Sequence, residues 1–411
     1  MDLRNVILFL SEAAKIVKNA IFAAMNFHIE LPECKSIAIR ALVIHYVATG
    51  EVLPIGEESC SDVRVTAKAL AVVRDHADAD GEREVNVHDC GAAYRFLLPV
   101  IAATEGRWLL SGTPRLLQRP IEELVAVLQG AGADIAQRPD GLHIRGGRLH
   151  IEEATIDCER TSQYASALLM SAPLLGLKQL HITPDNVRSA GYIELTRRMM
   201  ETRGIASPQG QRATEGDWDA ALFWYAYALL HQQPVTLDNL SLQSWQSDTV
   251  IAEWFKTMGV GSRQAGEQII LTPTPSASLP VLTLDVADHP DTVPVMAVLA
   301  ALLPADITFL RTRNLAYKES DRISHLAEQL RAFADVEVDE DSFRVAGRPD
   351  SRERMSGCCF RTWHDHRLAM AFLLAVEPEN LDDTDCLVKS YPQLMRPLKD
   401  ITNHTQQALN E

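Results

Sequence analysis

Within nine residues, Asn314-Leu-Ala-Tyr-Lys318-Glu319-Ser-Asp-Arg322, the chain places an amide, an ammonium, a carboxylate and a guanidinium. An apolar run, Ile307 to Leu310, precedes them, and a helical pattern begins near Ser320. A strand gives way here to a helix N-terminus, whose free N–H groups favour anions. Lys318 supplies a point charge and Arg322 a planar fork suited to phosphate or carboxylate. Glu319, between two cations, has its ionised form favoured unless burial opposes it. Such a cluster is a seat for an acid or base beside an anionic substrate. The plain alternative is a solvated helix start with an ordinary group of charges.

The same chemistry recurs along the chain. In Leu31-Pro-Glu-Cys-Lys35-Ser36-Ile-Ala-Ile-Arg40, Ser36 is expected as a helix N-cap, with Lys35 and Arg40 able to meet an anion over that start. Asp89-Cys-Gly91 opens an apolar helix, where a missing side chain lets backbone amides approach a ligand. Arg95 inside that helix reads as a structural ion pair. In Pro114-Arg-Leu-Leu-Gln-Arg119-Pro120, the second proline suits the first turn of a helix and leaves Arg119 at its positive end. Thr161-Ser162-Gln163 and Ser189-Ala-Gly-Tyr192 offer hydroxyls and an amide at two more helix starts, as caps or as partners for a polyol or its phosphate. Asp291 leads into an apolar helix as a cap or as a general base beside a substrate hydroxyl. His364-Asp-His-Arg367 and Lys389-Ser-Tyr-Pro392 open two further helices. Neighbouring residues on a helix diverge, so the His-Asp-His triplet is not expected to hold a metal.

Lys35, Arg119, Lys318, Arg322, Arg367 and Lys389 thus all stand at helix starts, in a 411-residue chain whose formal net charge is -16. One phosphate needs about two or three such donors. Six imply two anionic groups or two substrates, with Asp291 and Glu319 left as the titrating pair. The acidic balance argues against a nucleic-acid partner, because phosphate-backbone affinity relies on dense Lys and Arg. Seven scattered cysteines suit a reducing compartment and give no zinc or disulfide framework. Near the N-terminus, Val6 to Leu10 and Ala20 to Met25 are apolar, but Glu12, Lys15 and Lys18 interrupt them. The segment reads as an amphipathic helix of a cytoplasmic protein with no membrane partner.

The elements that must position these residues follow a repeat. A helix with a small or Gly-containing stop, then two strands around a turn, recurs at Leu124 to Ile144, Val250 to Leu271 and Leu326 to Val345. That rhythm predicts repeated α/β units in place of one continuous parallel sheet. Helices such as Ala92 to Ala103 and Ala165 to Leu175 are apolar nearly all round and are expected between sheets. Apolar residues make up 46% of the chain, enough for two or three domains, with a boundary expected around Ser207 to Asp217.

Taken in order, LPECKSIAIR, DCGAAYRFL, PRLLQRPIEEL, TSQYASALLM, SAGYIELT, EGDWDAA, HPDTVPV, NLAYKESDR, HDHRLAMAF and KSYP resemble the 3-phosphoshikimate 1-carboxyvinyltransferase family, also called 5-enolpyruvylshikimate-3-phosphate synthases. The resemblance runs from about Leu31 to Pro392. It implies an α/β fold of two domains, residues 33–213 and residues 1–32 with 214–411, each of three similar units and joined by two chain crossings. It implies enolpyruvyl transfer from phosphoenolpyruvate to the 5-hydroxyl of shikimate 3-phosphate, by a monomer that needs no cofactor. Lys35, Ser36, Arg40, Thr161, Ser162, Gln163, Ser189, Tyr192, Asn314 and Lys318 would hold shikimate 3-phosphate. Lys35, Gly91, Arg119, Gln163, Arg322, Arg367 and Lys389 would hold phosphoenolpyruvate. Asp291 would be the base for the hydroxyl and Glu319 the proton shuttle at the methylene, with Lys35 assisting.

The chain departs from the family pattern at Glu33-Cys34, where Gly-Ser is usual, and at Ala92, Thr161 and Ala316, while Asp89 stands where Asn or Asp is usual. One extra negative charge about 6 Å from a phosphate, at an effective dielectric near 20, costs roughly 3 kcal/mol. The expectation is a working synthase, slower if Glu33 faces the pocket. Glu33 and Ala316 would suit a non-catalytic binder of phosphorylated ligands, against which Lys35, Asp291 and Glu319 stand. A UDP-amino-sugar enolpyruvyl transferase is disfavoured, because no cysteine lies in Arg115-Leu-Leu-Gln118.

Overall fold

The computed structural model describes residues 27–76, 81–202, 215–275 and 279–410. The N-terminal amphipathic helix and most of the expected boundary segment lie outside the described residues. In chain order the strands of the first half are β1 (Phe27–Glu30), β2 (Glu82–Asn86), β3 (Gly106–Ser111), β4 (Asp134–Arg138), β5 (Gly141–Gly146), β6 (Glu153–Asp157) and β7 (Gln179–Thr183). The second half adds β8 (Val235–Asp238), β9 (Val260–Ala265), β10 (Gln268–Pro273), β11 (Val281–Asp285), β12 (Asp306–Leu310), β13 (Ala334–Val338) and β14 (Ser342–Gly347).

Three four-stranded sheets share one pattern, ordered β2-β3-β5-β4, β1-β8-β10-β9 and β11-β12-β14-β13. In each, the first two strands are parallel and an antiparallel hairpin completes the sheet. The hairpins follow the helices Glu122–Gly130, Ile251–Thr257 and Arg322–Leu330, as the sequence rhythm predicts. A fourth sheet has only the parallel pair β6-β7, with the helix Gln163–Leu175 between its strands. Period-two alternation sets the register: Trp108↔Ile144, Leu237↔Ile269 and Phe309↔Phe343 turn apolar side chains to the same inner face. Gly146 and Gly347 close equivalent strands because a Cβ there would lie 2.0 Å from the Thr104 and Leu303 carbonyl oxygens.

The helices Gly91–Ala102, Trp218–His231 and Val293–Leu302 are apolar on almost every side and are buried along nearly their whole length. Buried apolar side chains form two clusters. One runs from Cys34 to Met199; the other combines Ile29 and Leu31 with residues from Trp218 to Ile401. Two adjacent strands of chain connect them, paired by Cys34 N–H to the Glu215 carbonyl at 2.8 Å and Asp217 N–H to the Pro32 carbonyl at 3.0 Å.

Several local expectations are corrected. The first described helix is Lys35–Thr49, with Cys34 at its N-cap, so Ser36 lies inside the helix and is not the cap. Pro120 stays outside the helix that starts at Glu122. Lys389 closes a 3-10 turn, Asp385–Lys389, and the last helix begins only at Met395. Asp291 sits in a 3-10 turn, Pro290–Thr292. Arg95 forms hydrogen bonds in place of the expected ion pair, donating to the Pro120 carbonyl at 2.7 Å and to Gln163 Oε1 at 2.8 Å. Burial and the neighbouring Arg119 lower its pKa to about 10.

Candidate active site

Helix starts from both cores face one another, and their charged side chains interlock. Arg322, the first residue of its helix and 1% exposed, donates from Nη1 to Asp291 Oδ1 at 2.7 Å and from Nη2 to Glu319 Oε2 at 3.0 Å. Its remaining edge is held by Asp365, with Nε 2.9 Å from Oδ2. Asp365 caps the helix His366–Phe372 by accepting from the Arg367 N–H at 2.9 Å, so the Arg322 and Arg367 helices share one carboxylate. Lys318 Nζ lies 3.1 Å from Asp291 Oδ1, and Arg367 Nη2 lies 2.7 Å from Asp219 Oδ2 and 3.6 Å from Asp291 Oδ2.

The other core contributes from the opposite side. Arg119 Nη1 is 3.4 Å from Glu319 Oε1. Gly91 makes room for that guanidinium, because a Cβ at residue 91 would stand 2.5 Å from Arg119 Nη1. Lys35 and Lys389, from opposite cores, share Asp62 at 3.2 Å each, and Lys389 also reaches Asp89 Oδ2 at 2.6 Å. The six cations fall into two contact groups, Arg119, Lys318, Arg322 and Arg367 around Asp291 and Glu319, and Lys35 and Lys389 around Asp62. The charge of Glu319 acts on Lys35 and Lys389 and links the groups into one electrostatic network.

Burial alone would raise the carboxyl pKa of both acids. For Asp291 the cations Lys318, Arg322 and Arg367 outweigh it, and for Glu319 the cations Arg119, Arg322 and Lys389 do, so both are held well below the ordinary range. Lys35, which burial would lower, is kept above its ordinary value by Asp62 and Glu319. Burial pushes the Asp219 carboxyl up, Arg367 pulls it down, and Asp248, Asp291 and Asp217 push it up again, whereas Arg367 is held above its own ordinary value. The 2.7 Å contact with a guanidinium favours the charged form of Asp219, against burial and its acidic neighbours, which on balance raise its pKa.

Some polar atoms are left over. Arg119 Nε, Arg367 Nε and Asn314 Oδ1 are buried without a protein hydrogen bond, as are both ring nitrogens of His366. Buried polar groups are nearly always paired, so these atoms are open to a partner from outside the protein.

The candidates for shikimate 3-phosphate divide. Gln163 Oε1 is engaged by Arg95, and Thr161 Oγ1 accepts from the Gln163 N–H at 3.2 Å, while Ser162, at the helix N-cap, makes no capping bond. Arg40 is buried and donates to Thr196 Oγ1 at 2.8 Å and to the Ser36 carbonyl at 2.9 Å, under the rings of Phe96 and Tyr192. Its burial lowers the guanidinium pKa to about 10. Ser189 Oγ donates to the Ala287 carbonyl at 3.3 Å, and Tyr192 donates to Asp248 Oδ2 at 3.4 Å, so both join the two cores.

Glu33 does not stand among these residues. It lines a separate cavity of about 560 Å³ with Glu30, Leu31, Leu42, Asn239 and Arg396, and none of the six cations lines that space. Sequence reasoning missed Asp62, Asp219, Asp365 and Arg115 as members of the network. The N-cap position of Asp365 in His364-Asp-His was the one available signal; Asp62 and Asp219 carry none, since acids at helix starts are commonplace.

The EPSP synthase (3-phosphoshikimate 1-carboxyvinyltransferase) family model matches residues 21–398. A 3-phosphoshikimate 1-carboxyvinyltransferase of Bacteroides fragilis is 33% identical over 389 residues, covering 89% of this chain and 92% of that protein. The chain belongs to the EPSP synthase family. The like-named protein of Methanospirillum hungatei is 29% identical and covers 91% of this chain and 96% of its own length. Among solved structures, EPSP synthase from Acinetobacter baumannii aligns with a TM-score of 0.61 at 18% identity, covering 91% of this chain and 96% of that one. The enolpyruvyl transferase NikO from Streptomyces tendae aligns with a TM-score of 0.63 at 16% identity, covering 92% and 95%. These two likenesses bear on the fold, which is that of enolpyruvyl transferases. This family member is an enzyme of shikimate-pathway enolpyruvyl transfer, EC 2.5.1.19. No helix among the described residues is long and apolar enough to cross a membrane.

Proposed function

We propose that the interlocked helix starts bind shikimate 3-phosphate and phosphoenolpyruvate together, with the residue roles that the family resemblance implies. The observation that carries this reading is Arg322, whose single guanidinium holds Asp291 and Glu319 at 2.7 and 3.0 Å. Two carboxylates on one cation in a buried cleft are a natural base and acid pair once an anion takes part of that cation's charge.

In this reading Lys35, Arg119, Arg322, Arg367 and Lys389 receive the phosphate and carboxylate of phosphoenolpyruvate, with Gly91 and Gln163 beside them. Lys318, Asn314, Lys35, Ser36, Arg40, Thr161, Ser162, Gln163, Ser189 and Tyr192 form the shikimate 3-phosphate side, Arg40 through its hold on Ser36 and Tyr192. Asp291 takes the proton of the 5-hydroxyl as its oxygen attacks C2 of phosphoenolpyruvate, and Glu319 delivers a proton to C3. The tetrahedral adduct then loses phosphate while a proton leaves C3, restoring the double bond. Before substrate enters, both carboxylates are held too acidic for this work. Substrate anions draw the arginines away, and the two pKa values rise toward a range where proton transfer is efficient.

Two further parts belong to the proposal. Residues 33–213 act as one domain and the remainder as the other, supported by the two separate apolar clusters and the paired crossings. The enzyme acts as a monomer in this reading. The test is phosphate release from both substrates by the wild-type protein, D291N and E319Q. A binder that lost turnover would take shikimate 3-phosphate without releasing phosphate.

A further inference from the structure

Arg115 has no part in the roles above, yet it reaches across the cleft. It is exposed on the short helix Pro114–Leu117, one turn before Arg119. Its Nε lies 3.3 Å from the main-chain oxygen of Glu319 and its Nη2 lies 3.2 Å from that of Lys318.

Those two carbonyls have no partner in a neighbouring helix. The 3-10 turn Arg313–Tyr317 ends before them and the helix Arg322–Leu330 begins after them. Lys318 and Glu319 therefore sit in a connecting stretch where neither helix supplies a backbone partner, and the described backbone hydrogen bonds include none to either oxygen. Within one short segment, Arg119 holds the Glu319 side chain at 3.4 Å while Arg115 holds the peptide that carries it.

We propose that Arg115 is a positioning residue for enolpyruvyl transfer, a fork that seats the Lys318-Glu319 peptide against the opposite domain so that Glu319 meets the methylene carbon. This rests on the reading of Glu319 as the proton shuttle. A planar fork grips two successive carbonyls at fixed spacing, whereas an ammonium on a flexible stem does not. The grip is made to main-chain atoms, so it persists while the Glu319 carboxyl gains and loses its proton. It also forms only when the two sides of the cleft are together, which ties the placement of Glu319 to closure.

The test compares full-length R115A and R115K with E319Q, measuring kcat, KM for each substrate, the pH dependence of kcat and calorimetric Kd for shikimate 3-phosphate. R115A is expected to lower kcat about tenfold, with a smaller rise in Kd because the same fork seats Lys318 while Lys318 keeps its contact with Asp291. Its pH dependence of kcat should shift, because Glu319 loses its fixed distance from Arg119 and Arg322. R115K keeps the charge without the fork and is expected to stay slow. Wild-type kcat in R115A, or full rescue by R115K, overturns the proposal while leaving the functional reading in place if E319Q is inactive. Normal turnover by E319Q overturns the functional reading and this proposal with it. Should R115A fail to fold, R115Q gives the same comparison with more of the stem retained.

Discussion

Arg119 and Glu319 stand 200 residues apart in the chain and meet at 3.4 Å across the cleft. Their chain neighbours, Leu116 and Ile121 on one side and Leu315 and Ile323 on the other, pack into different apolar cores, so this contact exists only while the two cores are together. The network around it is an occupied site whose occupants are the protein's own carboxylates. In the proposed reading, substrate binding is an exchange in which incoming anions draw these cations away from the protein's own carboxylates, so that closure and protonation state change together.

Gly91 is where a methyl group touches this exchange most directly. The Cβ of Gly91→Ala would stand 2.5 Å from Arg119 Nη1 and 2.8 Å from its central carbon. The guanidinium is the far end of a flexible side chain, so it shifts and the fold survives. We expect KM for phosphoenolpyruvate to rise about tenfold with the Kd for shikimate 3-phosphate unchanged. Steady-state kinetics and calorimetry decide it, and unchanged KM speaks against Arg119 as a phosphoenolpyruvate ligand.

Asp365 is expected to matter first for stability. Its carboxylate is fully buried and takes hydrogen bonds from Arg322, Ser320 and the Arg367 N–H. Asp365→Ala leaves part of a buried guanidinium uncompensated and should cost about 3 kcal/mol in denaturant unfolding. A loss under about 1 kcal/mol, as for an exposed pair, would contradict the geometry.

Acid titration separates Glu319 from a bystander. Its folded pKa lies below the ordinary glutamate value of 4.5, so its stabilising contribution is fully present above that value and disappears as pH falls through the folded pKa. Glu319→Gln should therefore melt below wild type at neutral pH, with the two melting curves converging in acid. A gap that stays constant on acidification would mean that Glu319 is not ion-paired in the folded state.

Glu33 tests a place where sequence and structure part company. As a neighbour of Lys35 in the chain, it reads as a carboxylate facing incoming phosphate. The helix start at Lys35 and the pairing of Glu33 with Gly216 turn it toward the other cavity. Glu33→Gly is accordingly expected to change kcat/KM by less than about threefold, against the hundredfold or so implied by a charge about 6 Å away.

The repeat of helix and hairpin was legible because Gly stops, Asp-Gly turns and period-two alternation are local signals, and all three predicted copies appear as helix plus hairpin. The cations of the site were legible because basic residues beside expected helix starts stand out in an acidic chain, although only Lys35, Arg322 and Arg367 stand at such starts in the fold. Their acidic partners were not. Asp62 comes to Lys389 over 327 residues and Asp219 to Arg367 over 148, and no local pattern encodes such meetings. Capping was misjudged at Ser36 because residue type alone cannot say that the helix begins one residue earlier, at Lys35. Arg95 reads as an ion-pair residue from its place in an apolar helix, yet its partners are carbonyl oxygens that only the folded chain brings near.

The central claim is that Asp291 and Glu319, gathered on Arg322, move the protons of enolpyruvyl transfer. Phosphate release from shikimate 3-phosphate and phosphoenolpyruvate, followed for wild type, Asp291→Asn and Glu319→Gln, tests it most directly. Wild type should release phosphate only with both substrates present, and each variant should be slower by about a hundredfold or more while still binding shikimate 3-phosphate. No release from the two substrates together, or either variant turning over at the wild-type rate, would contradict it.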